Sequence, residues 1–394
     1  MPELAKELRN VTNQTLATIQ PSAIRKFDQE ISQIPGIIKL TLGEPDLNTP
    51  EHVKQAAIAS IAQDDSHYSA PKGKMSLRQA ISAYLRRKQN ITYDPETEII
   101  VTVGATEALT ATIFSLVNPG DEVIIPTPSY ALYFPLLKLA GAKLIEIDTS
   151  TTQFVLTPET LAQTLVQHPQ AKFIILNYPG NPTGQEYSKT LLQQLAAVIR
   201  QYPLGVIADE IYSELVYEQP HYSIARILPE RTVLVNGLSK SHAMTGYRSG
   251  YVVAPGPWIQ AIAKMHGFLV TCPPDTAQAA ALEALSTGDE DPQAAVTVYQ
   301  HRRDDLEQAL VNLDFQPLHP QGAFYLFAKI PAQYGDDDLT FARQLAQKAK
   351  VGCTPGRAFG QGGQGYLRFS YASSDEILQQ AVQRITYFLN GGID

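Results

Sequence analysis

The chain has 394 residues, a net charge of −8 at pH 7, 44% hydrophobic and 18% charged residues, and two cysteines. Such a length exceeds one simple core and points to two domains of ordinary globular composition. The acidic balance, without any block of Lys and Arg, excludes a nucleic-acid partner, and no stretch nears the roughly 20 apolar residues that cross a bilayer, so no membrane partner is expected.

Met1 to Asn10 mixes charges around no apolar core and does not read as a signal peptide. Cys272 and Cys353 are not needed as a staple in a chain of this size, so reduced thiols and a cytoplasmic location are expected. From residue 98 short apolar runs alternate with segments of helical spacing. Glu98–Val103 precedes Thr106–Asn118, and Glu122–Pro126 precedes Tyr130–Ala140. Phe173–Asn177 precedes Ser188–Gln201, and Gly205–Asp209 and Thr232–Asn236 follow. Apolar runs without polar alternation suggest strands buried on both faces. They predict an α/β fold with a mostly parallel sheet between helix layers, its ligands beyond the carboxyl ends of the strands. After about residue 290 come a long helix over 291–313, a strand near 323–330, a helix near 339–350, a strand near 367–371 and a last helix from about Asp375. Ser374, or Ser373 with Glu376, is placed to cap that last helix. This part reads as a smaller α+β domain.

Several side chains stand where that architecture puts chemistry. Gly104-Ala105-Thr106-Glu107-Ala108-Leu109 follows a strand and opens a helix, so its N–H groups and the Thr106 hydroxyl suit a phosphate; alone, it is also a turn with a capping threonine. Asp209 ends a buried strand and needs a cationic partner, unless it is a helix N-cap. Asn177 to Gly184 contains two X-Pro bonds, one a candidate for cis, and two glycines, which make a stiff loop carrying Asn181. Arg368, on an alternating strand, offers a planar fork to a carboxylate, although a lone arginine there is more often solvated. Lys240 lies in the run Asn236 to Arg248, among small hydroxyl and glycine residues with an arginine eight positions on. A lysine becomes a nucleophile when neighbouring cations and partial desolvation favour its neutral amine.

Taken in order from Gly43-Glu44-Pro45-Asp46 to Leu367-Arg368-Phe369-Ser370-Tyr371, these motifs resemble the class I aminotransferases of the fold-type I pyridoxal phosphate enzymes. The resemblance implies a large cofactor domain over residues 45–290 and a small domain from 1–44 and 291–394. It implies pyridoxal 5'-phosphate as cofactor and Lys240 as the amine that carries it and shuttles the substrate proton. Asp209 is implied at the ring nitrogen, Tyr212 and Asn181 at its phenolic oxygen, and Tyr130 stacked on the ring. Ala105, Thr106, Ser239 and Arg248 are implied at the phosphate, with Tyr68 reaching it from a neighbouring subunit, so that the active site requires a homodimer. Gly43, Asn181 and Arg368 are implied at the substrate carboxylate, and no metal is expected.

Two positions depart from the pattern. Gly237 stands where many relatives have a phosphate-binding serine. Thr106 stands where aspartate-specific bacterial relatives often have lysine, which argues against an enzyme confined to dicarboxylates. The motifs look most like bacterial aromatic amino acid aminotransferases, which implies transfer from an aromatic L-amino acid to a 2-oxo acid such as 2-oxoglutarate by a ping-pong mechanism. Aspartate and N-acetyl-diaminopimelate aminotransferases, and carbon–sulfur lyases on the same fold, are the alternatives.

Overall fold

Eleven of the thirteen strands form two main sheets, and the other two pair by themselves, in the computed structural model, which describes residues 2–8 and 11–392. Part of the charged N-terminal stretch (Met1, Arg9 and Asn10) lies outside the described residues, as do Ile393 and Asp394. In chain order the strands are β1 (Ile38–Lys39), β2 (Ile99–Val103), β3 (Glu122–Thr127), β4 (Lys143–Asp148), β5 (Phe173–Asn177), β6 (Gly205–Asp209), β7 (Thr232–Gly237) and β8 (Ser249–Val253). They continue with β9 (Gln316–Leu318), β10 (Tyr325–Lys329), β11 (Val351–Gly352), β12 (Thr354–Pro355) and β13 (Tyr366–Ser370).

The larger sheet has the order β2-β8-β7-β6-β5-β3-β4 and is parallel except for β8, which runs against both neighbours. Alternate residues of one strand enter different cores: Ile174 and Leu176 pack with Leu192 and Leu195 on one face, and Phe173 and Ile175 with Leu109 and Ile259 on the other. Both faces are covered, which is why these strands read as unbroken apolar runs. The α/β class is as expected. Strands β4 and β8 are absent from the sequence reading; β4 forms one edge of the sheet, and β8 lies between β2 and β7.

The smaller sheet, β12-β13-β10-β9, is antiparallel. Its core joins Phe324, Leu326, Leu367 and Phe369 to Leu306 and Leu310 of the helix Asp291–Val311 and to Leu378 and Ile385 of the helix Asp375–Leu389. Ser374 caps that last helix, its hydroxyl accepting from Ile377 N. The N-terminal part returns here: β1 pairs in parallel with β11, Ser370 N donates to Leu40 O at 2.9 Å, and Phe27 and Ile31 of the helix Ala23–Ile31 join the same core. The helix expected over 339–350 is α-helical over Asp338–Gln344 and finishes as a π turn, Leu345–Ala349. Among the described residues no helix is long and apolar enough to cross a membrane.

Candidate active site

The carboxyl ends of β2, β5, β6 and β7 open into a cavity of about 1130 Å³, whose far walls come from β10, β13 and the N-terminal segment. Gly43, Ala105, Thr106, Tyr130, Asn181, Asp209, Tyr212, Ser239, Lys240, Arg248 and Arg368 all line it. Tyr68 does not; its side chain is 87% exposed.

At one end the helix Gly104–Leu116 begins directly after β2, with no side-chain hydrogen bond capping it. Thr106 is a first-turn residue there rather than a cap. Gly104 has φ +74°, and a Cβ there would lie 2.5 Å from an Arg248 guanidinium nitrogen, so the arginine lies against the bare helix start. Arg248 is itself in the left-handed region (φ 55°) and donates to Thr245 O at 2.9 Å. Open N–H groups, a helix dipole and a guanidinium fit a doubly charged anion. A Cβ at Gly237 would stand 2.8 Å from Ser249 O and 2.9 Å from Gly250 Cα. The glycine that departs from the familiar serine is therefore required by the close approach of β8.

Asp209 is 2% exposed at the tip of β6, and a turn follows it, so it caps no helix. Its carboxylate accepts from Tyr133 Oη at 2.7 Å and from Ile211 N at 3.3 Å. Burial pushes its pKa up to about 6 despite these bonds. No basic side chain lies within ion-pair distance of it among the described residues. A cationic ring nitrogen is the kind of partner such a group lacks. Asn177 braces the region: its Nδ2 donates to Asp209 O at 2.9 Å, and its Oδ1 accepts from Asn181 N at 2.9 Å. Both Tyr178-Pro179 and Asn181-Pro182 are cis in the loop that follows.

Arg368 is 3% exposed and, among the described residues, forms no ion pair with an acid. It donates to Asn181 Oδ1 at 2.8 Å and Thr41 O at 2.7 Å, and its Nε is buried without a partner. The guanidinium lies over the Tyr325 ring, 4.4 Å from its centroid, and 5.0 Å from that of Phe359. Burial pulls its pKa down. A buried cation with an orphaned donor and no counter-ion is a carboxylate site in waiting.

Lys240 Nζ donates to Gly43 O at 2.5 Å. Its pKa is lowered to about 8, chiefly by burial; the charges of Arg248 and Arg368 add to the fall, and Glu44 and Asp209 oppose it. Tyr212 Oη is 2.7 Å from Tyr325 Oη, and both phenols are raised by burial. The same Tyr325 explains Gly43, where a Cβ would collide with the hydroxyl.

Sequence reasoning missed Tyr133 and Tyr325. Each lies in an apolar helix or strand and reads as core; only the need of Asp209 for a donor could have singled out Tyr133.

The profile of the family "Aminotransferase class I and II" matches residues 35–385. The chain is 39% identical over 382 residues to a probable N-acetyl-LL-diaminopimelate aminotransferase of Bacillus subtilis, covering 97% of this chain and 96% of that one. It is 35% identical over 378 residues to an aromatic-amino-acid aminotransferase 2 of Thermococcus litoralis, covering 94% and 96%. The solved aspartate aminotransferase from Thermus thermophilus with maleate superposes with a TM-score of 0.89 at 36% identity, over 95% of this chain and 98% of that one.

Proposed function

This chain belongs to the class I and II aminotransferases, and from that premise we propose that it is a cytoplasmic, homodimeric, pyridoxal phosphate-dependent enzyme. It moves the amino group of an aromatic L-amino acid to a 2-oxo acid such as 2-oxoglutarate. The observation that carries the reading is a complementary lack: one cavity holds a buried guanidinium without an acid, Arg368, and a buried carboxylate without a cation, Asp209, together with the low-pKa amine of Lys240.

The division of labour follows from the contacts. Arg248, Ser239 and the open helix start at Ala105 and Thr106 would hold the cofactor phosphate, with Tyr68 of a second copy added from outside. Asp209 would keep the ring nitrogen protonated, Tyr212 and Asn181 would reach the phenolic oxygen, and Tyr130 would pack on the ring. When bound, the cofactor supplies an aldehyde for amino groups and an electron-accepting ring. Arg368, Asn181 and Gly43 orient the substrate by its α-carboxylate. Lys240 Nζ takes the proton from the substrate α-carbon and returns it, a task suited to an amine with a pKa of about 8. The division into residues 45–290 and a smaller unit of 1–44 with 291–394 belongs to this reading, supported by the two sheets and by the pairing of β1 with β11.

Tyr130, Leu132, Phe134 and Leu144 give the cavity an apolar wall, which supports an aromatic side chain, and Thr106 brings no charge to it. A longer dicarboxylic donor of the N-acetyl-diaminopimelate kind is the second reading, favoured by the Bacillus relative. The test is reductive trapping of pyridoxal phosphate followed by peptide mass measurement, with a substrate panel. A trapped adduct on Lys240 and fastest turnover with phenylalanine or tyrosine are expected. Activity on aspartate at least about tenfold higher would overturn the aromatic preference. Ammonia and pyruvate released from a cysteine conjugate would instead support a lyase.

A further inference from the structure

We infer that His221 is a positioning residue for the cofactor ring: gripped between Glu186 and Glu210, it fixes the strand end that bears Asp209 and the loop that bears Asn181 in one frame. This rests on the reading above, in which Asp209 and Asn181 meet the ring, and adds a residue that lies behind the cavity wall.

Three segments of the chain meet at this imidazole. Its Nε2 lies 2.9 Å from Glu210 Oε2, and its Nδ1 lies 3.2 Å from both Glu186 oxygens. All three side chains are 1% exposed. Burial alone would lower the imidazole pKa, but the charges of Glu186 and Glu210 outweigh it and hold it at about 10. Both ring nitrogens therefore carry protons at neutral pH and donate to the carboxylates.

Glu210 follows Asp209 at the tip of β6, and alternation along the chain sends the two carboxylates to opposite faces of the large sheet. Asp209 meets Tyr133 in the core on one face; Glu210 meets Tyr178 in the core on the other, accepting from its Oη at 3.1 Å. Ser223 Oγ donates to the same Glu210 oxygen at 2.7 Å, and Tyr178 Oη accepts from Ile224 N at 2.8 Å.

Both feet of the Asn181 loop stand on this cluster. Tyr178 precedes the loop, and its ring stacks on Tyr187 with centroids 5.0 Å apart and on His221 at 5.2 Å. Glu186 follows the loop and also accepts from Tyr187 N at 3.1 Å. Asn177 links Asp209 O to Asn181 N from the cavity side, so the cluster closes the same frame from behind.

A buried ion triad adds little stability over apolar packing, whereas losing one partner strands the charge of the others. Among the described residues no Lys or Arg pairs with Glu186 or Glu210, so His221 is their one cation. The charge of Glu210 already pushes Asp209 toward its neutral form, in which it cannot keep a ring nitrogen protonated. Loss of His221 therefore falls on the ring contacts. Arg248 and the helix start at Gly104, which suit the phosphate, belong to other segments.

The test compares the native holoenzyme with His221→Gln, which keeps an N–H donor and loses the charge. His221→Gln is expected to weaken pyridoxal phosphate binding by roughly tenfold to hundredfold and to shift the visible absorbance maximum of the bound cofactor, while the Kd of the cofactor-stripped chain for inorganic phosphate changes less than about twofold. Leu285→Ala, a cavity in the same core on the helix Asp275–Thr287, controls for general loosening. It should lower Tm and leave cofactor affinity within about twofold. Where His221→Gln does not fold, Glu186→Gln keeps an acceptor for Nδ1 and should show the same split at about threefold. Equal weakening of cofactor and phosphate, an unchanged cofactor affinity, or the same weakening in Leu285→Ala overturns the role of His221, while a trapped adduct on Lys240 leaves the cofactor reading standing. A native protein that binds no pyridoxal phosphate overturns that reading, and this assignment with it.

Discussion

The phenol of Tyr133 donates a 2.7 Å hydrogen bond to the carboxylate of Asp209, joining the first residue of one helix to the last of β6 inside the protein. Tyr133→Phe leaves the burial and removes the donor, so the Asp209 pKa rises beyond about 6. Cofactor affinity, measured by absorbance titration, should weaken about tenfold, the scale of one hydrogen bond to a charged group.

Asp209 also sets a pH dependence of stability. An acid raised from 3.8 to about 6 keeps its proton longer in the fold than in the unfolded chain. The cofactor-free protein should therefore lose stability as pH rises from about 4 to 6 and level off above. The accumulated cost is on the order of 3 kcal/mol. Asp209→Asn should remove most of it, giving a higher cofactor-free Tm at pH 7 and poor cofactor retention. A variant no more stable than the native chain would contradict this account.

For Lys240 the direction is reversed. The amine is depressed to about 8, so its neutral fraction falls about tenfold for each pH unit below that value. Uptake of pyridoxal phosphate by the cofactor-free protein, followed by stopped-flow absorbance, should accelerate up to about pH 8 and then flatten. Arg248→Ala removes one of the depressing charges, so the midpoint should move to higher pH.

Arg368→Lys keeps a charge and loses the fork. Because Arg368 meets Asn181 and a backbone carbonyl while leaving Nε open, the lysine should raise KM for every amino and oxo acid by roughly 10²-fold, whatever the side chain. A loss confined to one substrate class would show that Arg368 does not hold the shared α-carboxylate.

Gly237→Ser restores the residue common among relatives, yet its Cβ meets Ser249 O and Gly250 Cα at 2.8 and 2.9 Å. Overpacking against backbone should cost about 1–3 kcal/mol, seen as a lower denaturation midpoint without tighter cofactor binding.

The sequence disclosed the large sheet because its strands, buried on both faces, are short apolar runs that end at chemically odd residues such as Asp209. Arg368 and Lys240 were legible only through the ordered motifs around them, since each charge taken singly reads as solvated. Tyr133 and Tyr325 were not, since a tyrosine in an apolar segment looks the same whether its hydroxyl serves a carboxylate or another phenol. The return of the N-terminal segment to the smaller domain was hidden more thoroughly, since β1 pairs with β11 between positions more than 300 residues apart, which no local pattern encodes.

Arg368 rises from the smaller sheet, while Asp209 and Lys240 stand at the ends of β6 and β7 in the larger one. A tetrahedral carbon bearing four different groups, fastened at its acid and its nitrogen, presents to a third fixed point whichever remaining group its configuration dictates. Under the proposed amino transfer, the hand of the amino acid would thus be set by residues drawn from both sheets.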